Sequence, residues 1–189
     1  MIFLLRFLTF RPIAALMVAA LLITLSPTEP AAAHYFGLIK MDDSVVDFGS
    51  DEDNQDHHLF WNHFMHFQMY DQYAARTDLS AVERCQGCWT NSTDVVWFAT
   101  GDIPTLNADE VCRATSGGRC NRARVRFNQA LTRQIPGDGG FFLACHEVGH
   151  ALGFEHLSDG CMYDPVNPYS PPQGGNLSSH MIDHINAQY

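Results

Sequence analysis

Residues 141 to 156 read Phe-Phe-Leu-Ala-Cys-His-Glu-Val-Gly-His-Ala-Leu-Gly-Phe-Glu-His. At about 3.6 residues per helical turn, His146 and His150 fall on one face, a turn apart, so two imidazoles can converge on one ion. Gly153 follows shortly after, and glycine readily takes the left-handed conformation that ends a helix. The chain can then turn back so that His156 offers a third nitrogen. Three neutral histidines suit zinc, and three protein ligands leave its fourth position for water, whose pKa zinc lowers to about 7. Glu147 is rotated by about 100° around the axis from His146. It can flank that water without binding the metal, which is the placement of a general base, worth typically about 10²–10⁴ in rate. The plain alternative is a surface helix that happens to hold two histidines. A third histidine and a glycine in fitting positions weigh against it.

Such a helix must be buried on its other faces, and Leu143, Val148, Ala151 and Leu152 supply the apolar surface. Gly137 to Gly140 reads as a flexible approach to it. Upstream, His34 to Phe48 reads as a strand, followed by an acidic turn over residues 51 to 56 that lacks the glycine and terminal glutamate of an EF-hand loop. From Leu59 to about Ala75, Phe60, Phe64, Phe67, Tyr70 and Tyr73 recur at helical spacing, predicting a long helix laid against a sheet. His57, His58, His63 and His66 lie on or just before it and read as polar-face residues. Val95 to Ala99 predicts a buried strand, and the alternating run Arg122 to Phe127 a strand with one solvated face. Prolines and glycines from Pro168 to Gly175 form an irregular loop, after which Ser178 or Ser179 caps a last helix to about Ala187.

The run from His146 to His156 resembles the extended zinc signature of the metzincin metalloproteases. Cys161-Met162-Tyr163 follows as that family's Met-turn would. The resemblance implies that His146, His150 and His156 hold one catalytic Zn²⁺, that Glu147 is the catalytic base, and that Met162 lies beneath the metal. It also implies the fold: an α+β or α/β domain with a twisted, mostly parallel sheet, long helices above a zinc cleft, and a small C-terminal subdomain after Gly153. The region looks most like the matrixin-like branch. Matrixins, however, typically place proline two residues after the methionine, and astacins and serralysins a tyrosine. Here Asp164 holds that position, in Met162-Tyr163-Asp164-Pro165, so the subfamily stays open. Cys145 directly precedes the first ligand and Cys161 directly precedes Met162. A disulfide between them would tie the active-site helix to the Met-turn.

The whole chain has 189 residues, 46% hydrophobic and 12% aromatic, which is the composition of a globular domain and too apolar for a disordered one. Residues 1–33 read as a secretory signal: Arg6 and Arg11, a short apolar run from Ile13 to Leu25, then Ala31-Ala32-Ala33. The apolar run is shorter than the roughly 20 residues of a membrane span. Residues 34–189 are expected to form a single catalytic domain, secreted and monomeric, with no stable membrane insertion. A net charge of −10 argues against nucleic acid. Six cysteines in an exported chain favour three disulfides. Six allow 15 pairings, of which the sequence-local set 85–88, 112–120 and 145–161 is expected. Cys85-Gln-Gly-Cys88 also admits a half zinc site or a redox centre. The expected activity is that of a zinc endopeptidase on protein or peptide substrates. The rivals are a metal-dependent amidase on cell-wall or other small amides, and a zinc-binding module without turnover. Structural Ca²⁺ beside the zinc has no support in the sequence.

Overall fold

The computed structural model describes residues 41, 43–51, 55–85, 87–103, 107–130, 134–163, 168–169 and 174–189, with backbone alone for 55–59. The signal read over residues 1–33, and the first residues of the strand read from His34, lie outside these.

Five strands make one sheet: β1 (Val45–Ser50), β2 (Ser80–Glu83), β3 (Val95–Thr100), β4 (Ala108–Ser116) and β5 (Arg119–Asn128). Their order is β2-β1-β3-β5-β4. β1 pairs in parallel with β2 and β3, β3 in parallel with β5, and β4 antiparallel with β5. The sheet is therefore mostly parallel, as expected. Central strand β3 is the apolar run Val95 to Ala99 extended by Thr100, and its Val95, Val96 and Trp97 are buried. β5 extends the expected Arg122–Phe127 strand at both ends. β4 was not expected. It reads Ala-Asp-Glu-Val-Cys-Arg-Ala-Thr-Ser, poor in β-formers, and register shifts at Cys112/Ala114 and Ala114/Thr115 break its alternation. It forms because β5 supplies a partner across a two-residue turn, Gly117-Gly118, both at positive φ (58° and 81°). The Cys112–Cys120 disulfide closes the hairpin.

One helix, α1 (Gln55–His66), runs on as a π-helical segment, Phe67–Ala74. The expected helix is thus present, but the acidic turn is shorter than read, since Gln55 and Asp56 are already helical. The wider π winding also changes the buried face: Gln68, Met69, Gln72 and Tyr73 turn inward while Tyr70 is 40% exposed. Trp61 is fully buried and stacks on Phe127 of β5 with ring centroids 3.8 Å apart. A fully buried large apolar side chain contributes about 1.5–3 kcal/mol over an exposed one.

A second helix, α2 (Gly137–Ala151), begins at the glycines read as a flexible approach. They are its first turn. Gly139 and Gly140 are buried, and a Cβ on Gly140 would overlap the Phe64 ring, so the missing side chains let α2 pack closely on α1. A 3₁₀ turn, Gly160–Met162, precedes the last helix, α3 (Ser179–Gln188). Ser178 is its cap, accepting from the Met181 amide at 3.2 Å.

All six cysteines pair locally, as Cys85–Cys88, Cys112–Cys120 and Cys145–Cys161, a pattern that suits an oxidising compartment. Cys85 and Cys88 are a disulfide rather than half a zinc site. Among the described residues no helix is long and apolar enough to cross a membrane.

Candidate metal centre

The ligand helix is held by its apolar faces: Phe142, Leu143, Ala144, Val148, Ala151 and Leu152 are all buried. The helix ends where expected. Gly153 adopts φ +95°, its amide donates to His150 O at 2.8 Å, and Phe154 N donates to Gly149 O at 3.0 Å. The reversal brings His156 back toward the helix. The ligand nitrogens of His146, His150 and His156 lie within 4.8 Å of one another. Their ring centroids form a near-equilateral triangle with sides of 4.6, 5.1 and 5.0 Å. His146 is buried, His150 half-buried and His156 exposed, so the group opens to solvent on one side.

Hydrogen bonds fix the tautomers. His146 Nδ1 lies 2.7 Å from Cys161 O, and His150 Nδ1 lies 2.8 Å from Phe154 O. A carbonyl only accepts, so each Nδ1 donates, and each neutral ring turns a bare Nε2 lone pair inward. Those two Nε2 atoms are 3.0 Å apart. Facing lone pairs repel unless a cation lies between them. A proton does not serve at neutral pH: burial first, and then repulsion from His150, hold His146 down to about 3, despite the opposing pull of the Cys161 carbonyl. Burial is likewise the main cause that lowers His150 to about 4. Together the three histidines can hold a metal ion, and carbonyls behind two of them fix ring orientation as in known metal sites.

Glu147 is 4% exposed, and its Oε2 is buried without a hydrogen-bond partner among the described residues. Burial raises its pKa well above the ordinary value, and the charges of Asp109 and Glu110 add to this. An orphaned buried carboxyl oxygen costs about 1–3 kcal/mol. It fits a position where water or substrate supplies the donor. Glu110 is the residue that sequence reasoning missed. Its own Oε1 is buried and unpartnered, and burial, then Asp109, pushes it up to about 7. Its neighbour Asp109 is bound by two hydrogen bonds from Arg126. No sequence signal could place Glu110 here, because β4 carries no readable strand pattern.

The segment after the ligands packs back under α2. Met162 is fully buried, and a Cβ on Gly149 would overlap its sulfur. Leu157 N donates to Met162 O at 2.8 Å, and the Cys145–Cys161 disulfide joins α2 to the turn. From the π-helical segment, Gln68 Nε2 donates to Phe141 O at 2.9 Å and Gly175 O at 2.8 Å, and Tyr73 Oη donates to Cys145 O at 2.9 Å. Gln68 and Tyr73 are five residues apart, one π-helical repeat, so the unusual winding aims both at α2. Among the described residues no other group of three metal-capable side chains occurs. His66 pairs with Glu83 at 2.6 Å, and His63 packs edge-on to Phe64 and Phe141. The side chains of His57 and His58, and Asp164 and Pro165 after the turn, lie outside the described residues.

Comparison with protein-family models finds none that matches this chain, and comparison with curated proteins likewise finds no match.

Proposed function

We propose that the chain is a secreted zinc-dependent endopeptidase of the metzincin kind. The observation that carries the reading is the triangle of imidazole nitrogens, with Glu147 next to His146 in the chain buried and its Oε2 without a hydrogen-bond partner among the described residues. The donor set supports zinc: imidazole is a borderline ligand, three of them leave a position open, and among the described residues no thiolate or carboxylate joins the group. His146, His150 and His156 would hold the ion. Zinc supplies Lewis acidity, polarising a substrate carbonyl and lowering the pKa of water.

The protein's own part is proton transfer and support. Glu147 Oε2 takes a proton from the attacking water and returns it to the leaving amine. Met162 and the Cys145–Cys161 disulfide keep α2 and its carbonyl-anchored histidines in place.

The test is mass-spectrometric cleavage profiling of a diverse peptide mixture. It compares the disulfide-intact protein with Glu147→Ala, both at one zinc per chain. Internal cleavage by the wild type, lost in the variant, supports the proposal. Intact peptides in both, with zinc bound, would overturn it in favour of an amidase on small amides or a binding module.

A further inference from the structure

Basic residues are concentrated in one place. The chain carries a net −10, yet Arg113, Arg119, Arg122, Arg124 and Arg126 all lie on the β4–β5 hairpin. On β5, alternation turns Ala123, Val125 and Phe127 toward the core, where Phe127 stacks on Trp61 of α1. Arg124 and Arg126 therefore emerge on the opposite face. Val96 pairs with Arg124 in parallel register and shares that face. The register shift between Cys112 and Ala114 leaves Arg113 unpaired in the ladder, and bulges re-aim side chains in this way.

On this outer face Trp89, Val96, Arg113, Arg122 and Arg124 line a cavity of about 110 Å³. Two of its arginines, Arg113 and Arg122, are held differently from the pairing beside it. Arg126 is bound to Asp109, and Arg84 to Asp47, each cation with a carboxylate of its own. Within the cavity, Arg122 donates to the neutral Asn91 Oδ1 at 2.6 Å and sits 5.6 Å over the Trp89 ring. Arg124 lies 4.1 Å over the Phe98 ring and meets the Asp51 carboxylate at 3.2 Å. Arg113 is exposed and makes no ion pair among the described residues. Among the described residues, the carboxylate paired with these three guanidinium groups is Asp51, on Arg124. An aromatic face and an amide oxygen position Arg122 without neutralising it, and Arg124 is held by an aromatic face together with Asp51.

We propose that this cavity binds an oxyanion, a phosphate or carboxylate group, through Arg113, Arg122 and Arg124. The planar guanidinium fork matches such a group with paired, charge-assisted hydrogen bonds. The volume is well below the roughly 300–1,000 Å³ of whole-ligand pockets, so it takes one anionic group rather than an extended molecule. Trp89 and Val96 supply apolar wall, which strengthens the attraction by keeping water from part of the bound group. The site is independent of the proposed peptidase, since it lies on the sheet face opposite α1.

Titration calorimetry of the disulfide-intact protein tests this, at constant ionic strength set by chloride. The probes are inorganic phosphate in one arm and acetate in the other. One equivalent of phosphate or acetate is expected to bind saturably. Preference for phosphate identifies a phosphoryl ligand, and comparable binding of acetate a carboxylate one. Arg113→Gln, which touches no recorded partner, should weaken binding by about tenfold or more, the loss of a charge-assisted bond. Arg113→Gln with Arg122→Gln should remove it, while Arg84→Gln should leave it unchanged. Thermal melts of each variant check that it is folded. Absence of saturable binding to the wild type, or undiminished binding by the folded double variant, would overturn the proposal.

Discussion

Two of the three imidazoles at the centre depend on the atom behind them. Because Cys161 O and Phe154 O hold the Nδ1 hydrogens, His146 and His150 present lone pairs, and Glu147 beside them has an unpartnered oxygen. Glu147→Gln keeps the shape and removes the base. It should retain zinc by direct metal analysis while peptide cleavage falls by about 10²–10⁴; cleavage near the wild-type rate would remove Glu147 from the mechanism. Glu110 gives a prediction about pH. Its carboxyl titrates near 7 in the fold against an ordinary 4.5, so the fold holds a proton that the unfolded chain releases. That contribution to stability is complete below about pH 4.5 and is lost as pH rises toward 7. In metal-free protein, Glu110→Gln should therefore gain on wild type across this window in paired thermal melts. Parallel curves would contradict the burial argument. The three histidines were readable as a group because they sit on one helix and one turn, where spacing alone sets geometry. Glu110 was not, because only the pairing of β4 with β5 brings it near Glu147.

Two devices hold the ligand helix in register. The Cys145–Cys161 disulfide closes a loop with a sequence separation of 16 and fixes the residue whose carbonyl orients His146. Cys145→Ala with Cys161→Ala should lower unfolding free energy by about 3 kcal/mol. It should also weaken metal binding about 10–100-fold, the usual cost of disturbing a group behind a ligand; a chelator competition assay reads the second effect, and unchanged affinity would show that the Cys161 carbonyl holds its place without the bridge. At Gly149 there is no room for a side chain over Met162. Gly149→Ala should cost about 1–3 kcal/mol of stability in denaturant titration. A neutral effect would mean that the turn is free to move away. The helices were legible from their periodicity and end signals, including the end at Gly153 and a cap at Ser178 or Ser179, although the first turn of α2 read as a flexible approach. The π winding at Phe67–Ala74 was not, because the aromatic spacing suits a regular helix almost as well. What favours the wider turn is the reach of Gln68 and Tyr73 to α2, a tertiary contact.

Among the described residues, the mostly parallel sheet lies between the histidine triangle and the arginine cavity. One side of the sheet bears α1, α2 and two carboxyls with raised pKa; the other bears the arginine cavity. The buried strands announced themselves through Val95 to Ala99 and through the alternation of β5. The edge strands did not, being short or polar and defined by their neighbours. The central claim is that one zinc ion on His146, His150 and His156 makes this fold a peptidase. The most direct measurement titrates metal-free, disulfide-intact protein with zinc while following cleavage of a peptide mixture. Activity should rise in proportion to added zinc and break at one equivalent per chain, with His150→Ala showing neither tight binding nor cleavage. Cleavage that proceeds without zinc, or that survives in His150→Ala, would contradict the claim.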